Sequence, residues 1–288
     1  MNVATRPEQL EPARRAVAIG TFDGVHLGHR RVIEAALAAD LRSAVVTFDP
    51  HPRTIVGNQV ELLATTRRRL ELFEELGVED VLLLRFDREL AALAPEQFAA
   101  SVLGGVGAEV VAAGDGFRFG HGRTGDLGLL AQLGFDVRRV PIVENVSSSR
   151  IRQLLAAGEV ERAATLLGRP AEVEGTVVLG DQRGGTLGFP TANIAVPPEL
   201  LVPAYGIYAG AALGRSAAVS IGTNPHYGGR ERRVEAYLLD YQGDLYGERL
   251  VVELWARLRD EAVFASEAEL VAAIENDVLR TRAAHRPV

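Results

Sequence analysis

Cysteine and lysine are both absent from this sequence of 288 residues, and their absence excludes several kinds of chemistry. Without cysteine there are no disulfides, no thiolate metal sites and no cysteine nucleophile. Without lysine there is no Walker-type phosphate lysine and no Schiff base on a lysine side chain. All 31 basic residues are arginine. Positive charge beside a bound phosphate must therefore come from arginine, histidine, backbone N–H groups or a metal ion.

Long apolar runs are also missing, because Gly, Arg or Asp interrupts each run well before membrane-spanning length. The first residues lack the basic-then-apolar order of a signal peptide. A net charge of -7 and a pI of about 5.5 argue against a surface that binds nucleic acid. We therefore expect a cytoplasmic protein with no nucleic-acid or membrane partner, and the sequence leaves its oligomeric state open.

The first half of the sequence alternates short apolar strands with helical patterns. Strands are predicted at residues 16–19, 43–48, 80–86 and 109–113, and helices at residues 30–40, 67–76 and 95–103. Short, continuously apolar strands between helices are typical of a parallel sheet that is covered on both faces. The pattern predicts an N-terminal α/β domain of Rossmann-like architecture.

The residue pattern changes from about residue 171 onward. Helical periodicity disappears, and Gly, Pro and Thr separate five strand-like runs at residues 174–179, 206–212, 217–221, 234–239 and 249–257. That spacing predicts a small β-barrel. Residues 266–282 return to a helical pattern, with Ser266 and Glu269 placed for a capping box. We predict two domains, at residues 1–169 and 170–288.

One chemistry-bearing motif lies between the first predicted strand and the first predicted helix. Residues 20–29 read Gly-Thr-Phe-Asp-Gly-Val-His-Leu-Gly-His. A helix that begins there presents free N–H groups and a positive dipole end to phosphate. His26 and His29 can face the same spot and stabilise charge on a phosphate oxygen. A pair of metal ligands or plain surface polarity explains two neighbouring histidines as well.

A second motif lies at the start of the predicted barrel, where residues 180–193 read Gly-Asp-Gln-Arg-Gly-Gly-Thr-Leu-Gly-Phe-Pro-Thr-Ala-Asn. Closely spaced glycines let backbone N–H groups approach a phosphate, although a barrel turn accounts for them equally well. Transfer of a phosphoryl group to a hydroxyl also needs a base near the acceptor. Glu235 is the candidate base, and its alternative role is an outward, solvated strand position.

Three runs carry a resemblance to a known family: residues 20–29, residues 146–152 (Val-Ser-Ser-Ser-Arg-Ile-Arg) and residues 187–193. Together they resemble the bacterial bifunctional riboflavin kinase/FAD synthetases, in the same order and over residues 17–282. The resemblance implies an N-terminal nucleotidyltransferase domain that adenylylates FMN. It also implies a C-terminal riboflavin kinase β-barrel that ends in a helix, with riboflavin, FMN and ATP as substrates and Mg²⁺ as cofactor.

The resemblance also implies roles for particular residues. In the first site, His26, His29 and Arg152 would be catalytic, and in the second site Glu235 would be the catalytic base. Thr191 and Asn193 would hold Mg²⁺. The residues expected to contact ATP or its phosphates are Gly20, Phe22, Asp23, Gly24, Gly28, Asp115, Ser147, Ser148, Ser149, Gly180, Gly184, Gly188, Pro190, Thr191 and Asn193.

The sequence departs from the family at the run Gly-x-Asp/Asn-Phe-x-Phe-Gly, where Gly116 takes the place of the polar residue and Asp115 precedes it. Loss of that side chain would weaken ATP binding at the first site. One alternative is therefore a riboflavin kinase with an impaired adenylyltransferase domain. Two others are an adenylyltransferase for a nicotinamide or pantetheine phosphate and a non-catalytic flavin-binding protein.

Overall fold

The structure is a computed structural model that describes residues 1–288 except 56, 58–59, 181–186 and 224–231. It contains two compact units, Met1–Ser148 and Ser149–Val288. The domain boundary predicted between residues 169 and 170 stays a prediction. Within the described part of the chain, no helix has both the length and the apolar character needed to cross a membrane.

The first unit contains a six-stranded parallel sheet in the order β1-β4-β3-β2-β5-β6, which confirms the predicted α/β class. Strands β1 and β6 were not predicted, because β1 has only three residues and β6 is largely exposed and charged. The strand bounds are β1 (Asn2–Ala4), β2 (Arg15–Ile19), β3 (Arg42–Asp49), β4 (Asp80–Arg85), β5 (Ala108–Gly114) and β6 (Asp136–Val140).

Apolar clusters lie on both faces of this sheet. Val17 and Ile19 point into one cluster, while Ala16 and Ala18 point into the other, as the two-residue period of a strand requires. The helical segments are a 3-10 turn (Pro7–Gln9), α1 (Leu27–Leu37), α2 (Pro52–Ile55), α3 (Thr66–Glu75), α4 (Arg88–Ala92), α5 (Pro95–Phe98), a π-helix (Ala99–Gly104), a second 3-10 turn (His121–Arg123) and α6 (Leu127–Gln132).

The second unit contains a closed antiparallel barrel in the order β10-β11-β8-β7-β12-β9, which confirms the predicted barrel. Strand β8 was not predicted, because it has only four residues and follows the glycine-rich run. Its strands are β7 (Ala171–Val178), β8 (Ala192–Ala195), β9 (Gly206–Ala212), β10 (Arg215–Thr223), β11 (Arg232–Leu238) and β12 (Arg249–Arg259). Helices α7 (Ser148–Ala156), α8 (Val160–Leu167) and α9 (Glu267–Ala283) complete the described elements.

The terminal helix α9 begins and is anchored as its sequence suggests. The Ser266 side chain accepts a hydrogen bond from the backbone N–H of Glu269 at 3.2 Å, so it is the N-cap. Near the other end, Asp277 is 3% exposed and accepts hydrogen bonds from the guanidinium of Arg259 on β12. This buried ion pair fixes the helix to the barrel wall.

Candidate active sites

His26 ends the loop after β2 and is the N-cap residue of α1. Its Nδ1 accepts a hydrogen bond from the backbone N–H of His29 at 3.3 Å, and the residue is only 6% exposed. A ring nitrogen that accepts an N–H bond carries no proton, so the proton of a neutral His26 is on Nε2. The cap therefore determines which nitrogen of His26 donates to a ligand.

The two histidines of this motif lie face to face. Their ring centroids are 3.5 Å apart with planes 16° from parallel, and the Phe22 ring stands edge-on to His29. Two positive charges at that separation repel each other, so the stack favours at most one protonated imidazole. A Cβ on Gly20 would lie 3.1 Å from the Phe22 ring, and one on Gly28 would lie 3.3 Å from His26. Glycine at both positions leaves room for these rings.

The loop between β2 and α1 is held by buried contacts. Gly24 has a φ of 81°, and a Cβ there would lie 2.8 Å from the side chain of Leu63. Asp23 is 2% exposed, and its carboxylate accepts a hydrogen bond from the backbone N–H of Leu63 at 2.9 Å. The Ser148 hydroxyl donates to the carbonyl of Asp23 at 3.1 Å. The structure thus brings Ser148 to the histidine loop, and Asp23 shapes that loop.

The remaining residues predicted for the first site are placed less directly. Ser147 is exposed, and Ser149 and Arg152 lie on α7 in the second unit. Their contribution to the first site therefore stays a prediction. Asp115 occupies an exposed turn after β5, where its backbone N–H donates to the carbonyl of Val140 at 3.1 Å.

Gly116 follows in the same exposed turn. Its φ lies outside the left-handed region, and a Cβ built on it meets no atom within 4 Å. Nothing in the backbone or in the surrounding packing therefore requires glycine at this position. The departure from the family pattern removes a side chain without imposing a different loop geometry.

The second site is built from pairing between neighbouring strands. Glu235 on β11 is directly opposite Asn193 on β8 and directly opposite Ser220 on β10. Directly opposed residues point to the same face of a sheet, so these three side chains share a face. The Glu235 carboxylate accepts a hydrogen bond from the Arg233 guanidinium at 3.1 Å. A candidate base and a candidate metal ligand therefore lie side by side.

The amide of Asn193 has an oxygen suited to a cation. The residue is 8% exposed, and its Oδ1 is buried with no hydrogen-bond partner among the residues that the structure describes. A Cβ on Gly180 would overlap this amide, so glycine there makes the space that Asn193 fills. No group of three or more His, Asp or Glu side chains within the described ranges could hold a metal.

A surface pocket of about 420 Å³ adjoins this region of the barrel. Pro190 and Thr191 line it together with Tyr241 and Tyr246. Gly188 has a φ of 88°, which favours glycine, whereas Gly184 lies outside the described residues. The pocket is therefore lined by two residues that are predicted to bind nucleotide and by two tyrosines.

A larger open depression of about 690 Å³ lies at the opposite edge of the parallel sheet from the histidines. Arg14, Glu109 and Asp136 are among its lining residues. Arg14 directly precedes β2, and Glu109 and Asp136 lie at the amino ends of β5 and β6. Ligands of open α/β sheets bind beyond the carboxyl ends of the strands. This depression is therefore not assigned to the first site.

Two arginines that contact these motifs were not predicted from the sequence. Arg233 lies two residues before Glu235 on the same face of β11, so the period of the strand was the available signal. Arg69 is 6% exposed and lies one turn before Leu72 and Phe73 on α3. An arginine on the apolar face of a predicted helix was the signal for a buried cation.

Two family models match the chain, one after the other. The model described as FAD synthetase matches residues 8–152, and the model described as riboflavin kinase matches residues 167–285. The histidine loop lies inside the first match, and the paired residues Asn193 and Glu235 lie inside the second.

Curated relatives match almost the whole length of the chain. A protein of Listeria monocytogenes, described as a bifunctional riboflavin kinase/FMN adenylyltransferase, is 36% identical over 291 residues, covering 93% of this chain and 92% of the relative. A protein of Escherichia coli K12 with the same description is 37% identical over 286 residues, covering 92% and 91%. A solved structure described as a macrolide-efflux protein from Streptococcus pneumoniae has a TM-score of 0.86 and 30% identity, covering 97% of this chain and 98% of its own.

Proposed function

Because this chain belongs to the family of bifunctional riboflavin kinase/FMN adenylyltransferases, we propose that the two sites described above divide its two reactions. The enzyme phosphorylates riboflavin with ATP to give FMN and ADP. It then adenylylates FMN with a second ATP to give FAD and pyrophosphate. The observation that carries this function is the match of both family models in one chain, each containing one of the two motifs.

In the kinase reaction, Glu235 is the proposed base. The ribityl hydroxyl of riboflavin donates its proton to the Glu235 carboxylate while its oxygen attacks the γ-phosphorus of ATP, and ADP leaves. The hydrogen bond from Arg233 holds that carboxylate in one orientation. Asn193 lies directly opposite Glu235, and this pairing supports a phosphate-binding side of the site next to the base.

The donor set of the second site fits Mg²⁺. Thr191 and Asn193 would hold the ion through their side-chain oxygens, and the buried Oδ1 of Asn193 supports this assignment. Mg²⁺ prefers oxygen ligands and completes its coordination with water and phosphate. When bound, it would neutralise charge on the β- and γ-phosphates.

In the adenylyl transfer, an FMN phosphate oxygen attacks the α-phosphorus of ATP and pyrophosphate leaves, so no covalent enzyme intermediate is needed. His26 donates from Nε2 to a phosphate oxygen, because its Nδ1 is engaged by the helix backbone. His29, stacked against it, stabilises the same developing charge. Ser147, Ser148, Ser149 and Arg152 are proposed to hold the triphosphate.

We assign the adenylyltransferase domain to residues 1–169 and the kinase barrel to residues 170–288. The two family matches support a boundary in this region, since one ends at residue 152 and the other begins at residue 167. The first observed strand of the barrel begins at Ala171, directly after the proposed boundary.

Chromatography of the products over time tests both reactions at once. Purified protein is incubated with riboflavin, excess ATP and Mg²⁺, and in parallel with FMN in place of riboflavin. We expect FMN first and then FAD. FMN that accumulates from riboflavin and is not converted to FAD when supplied directly would restrict the enzyme to the kinase reaction. Riboflavin and FMN that both stay unchanged would leave only a flavin-binding role.

A further inference from the structure

We infer that Arg69 is a positioning residue for adenylyl transfer, joining the histidine loop to the carboxyl end of β3. This inference rests on the adenylylation proposed for the first site. Arg69 belongs to α3, outside every motif that carries the resemblance, and the transfer mechanism above assigns it no part.

The guanidinium of Arg69 bonds the histidine loop and the last residues of β3 simultaneously. One terminal nitrogen donates to the carbonyl of Thr21 at 2.8 Å and to the hydroxyl of Thr47 at 3.1 Å. The other donates to the carbonyl of Phe48 at 3.0 Å and to the hydroxyl of Thr66 at 3.1 Å. Thr21 directly precedes Phe22 in the histidine loop, whereas Thr47 and Phe48 end β3. One planar group thus fixes the separation of two strand ends.

A second set of bonds closes the arrangement around Arg69. The Thr47 hydroxyl also donates to the carbonyl of Thr21, at 3.2 Å. The Thr66 hydroxyl donates to the carboxylate of Asp49 at 2.9 Å, which extends the connection to the residue after Phe48. A buried polar network in which each member has a partner holds a single geometry. The carboxyl ends of β2 and β3 are therefore joined through side chains as well as through their backbone ladder.

The charge of Arg69 distinguishes it from an ordinary buried ion pair. Its described hydrogen bonds reach only carbonyl and hydroxyl oxygens, and the residue is 6% exposed. Burial lowers its pKa from the usual value of arginine, while the negative charges of Asp23 and Asp49 oppose that shift. An arginine stays protonated in such a setting. Asp23 lies in the histidine loop and Asp49 is the last residue of β3, so the charge of Arg69 attracts a carboxylate on each side.

This arrangement has a consequence for catalysis. In-line attack requires the acceptor phosphate and the α-phosphorus to be held at a fixed separation. The histidine loop is proposed to bind ATP. Residues 47–52 (Thr-Phe-Asp-Pro-His-Pro) also resemble the riboflavin kinase/FAD synthetase family, and the resemblance implies a loop there beside the flavin end of the site. Loss of the hydrogen bonds from Arg69 should make the separation between the acceptor phosphate and the α-phosphorus less well defined, while His26 and His29 are still present.

The test compares Arg69→Met and Arg69→Lys with Arg67→Met, an exposed arginine on the same helix, as the matched control. Initial rates of FAD formation from FMN, ATP and Mg²⁺ are measured well below the unfolding temperature of each variant. We expect Arg69→Met to lower kcat/KM for FMN about 100-fold and to raise KM for both FMN and ATP. Arg69→Lys should recover about tenfold of that loss, and Arg67→Met should match the wild type.

Riboflavin phosphorylation by the same samples is the internal standard, since Arg69 is in the first unit and the kinase motif is in the second. A merely structural role would reduce the fraction of active first units and leave KM unchanged, and that result would overturn the inference. Thr47→Val provides a milder variant should Arg69→Met unfold the first unit, with an expected loss of roughly fivefold.

Calorimetric titration with α,β-methylene-ATP separates this inference from the proposed function. If the wild type makes no FAD from FMN, the adenylyl transfer proposed above fails. Binding then decides the role of Arg69 alone. An affinity for the analogue at least tenfold weaker in Arg69→Met than in Arg67→Met supports the inference, and equal affinities overturn it.

Discussion

The two proposed sites of this enzyme are assembled in different ways. The first is a contiguous loop whose histidines, glycines and aspartate are fixed by a helix cap and by buried neighbours. The second depends on three strands that bring Asn193, Ser220 and Glu235 to one face. One site is therefore organised by local sequence and the other by strand register. Substitutions should affect the two reactions separately, and that separation can be tested directly.

The largest difference between the effects on the two reactions is expected for Glu235→Gln. The amide keeps the shape of the side chain but cannot accept the ribityl proton, so kinase turnover should fall about 10³-fold. FAD formation from supplied FMN should stay within twofold of the wild type. Product chromatography with riboflavin and with FMN measures both rates, and Glu199→Gln on the surface serves as control. An equal loss in both reactions would contradict separate sites.

His26→Asn should affect the other reaction, the adenylylation of FMN. Asparagine is a good N-cap, so α1 should remain stable, whereas the Nε2 donor is lost. We expect FAD formation to fall roughly 10²-fold while riboflavin phosphorylation is unchanged. Circular dichroism against temperature checks the fold. Wild-type FAD formation by this variant would show that His26 acts as a helix cap and not on the substrate.

The two units should differ in their stability to acid, because the first unit contains a buried carboxylate, Asp80, at the amino edge of its sheet. Asp80 accepts hydrogen bonds from Arg42, Arg15 and Asn2, and these partners hold its pKa near 2 against the desolvation that would raise it. The unfolded carboxyl titrates near pH 4. A depressed pKa stabilises the folded state above pH 4, and this contribution of about 2 kcal/mol is lost as the pH falls from 4 to 2.

Asp80→Asn should therefore remove that stabilisation at neutral pH and flatten the acid dependence of the first unit. Inactivation of FAD formation after acid incubation reports on the first unit. Fluorescence of Trp255, the only tryptophan in the sequence, reports on the barrel. Identical acid profiles for wild type and variant would mean that Asp80 does not set the acid limit of this sheet.

Features that depend on neighbouring residues could be predicted from the sequence, whereas features that depend on strand register could not. The histidine motif and the parallel sheet were visible because their residues are adjacent or periodic along the chain. The direct pairing of Asn193 with Glu235 was not, because β8 has only four residues and carries no pattern of its own. Arg69 was missed for a further reason: a buried cation contradicts the apolar period that defines α3, and only its contacts with the histidine loop and the end of β3 account for it.

The smallest effect, and the most informative about this particular chain, is expected for Gly116→Asn. The position is exposed, its backbone suits any residue, and a Cβ meets open space, so the substitution should cost little stability. If the missing amide normally contacts the nucleotide, restoring it should lower KM for ATP in FAD formation about threefold to tenfold, the range of one hydrogen bond. KM for ATP in the kinase reaction should not change.

Gly122→Asn serves as the control for added bulk in the same loop region. Gly122 is also exposed, but its φ is 62°. An unchanged KM in Gly116→Asn would mean that Asp115 or the backbone already supplies the contact, and that the first site is complete as it stands.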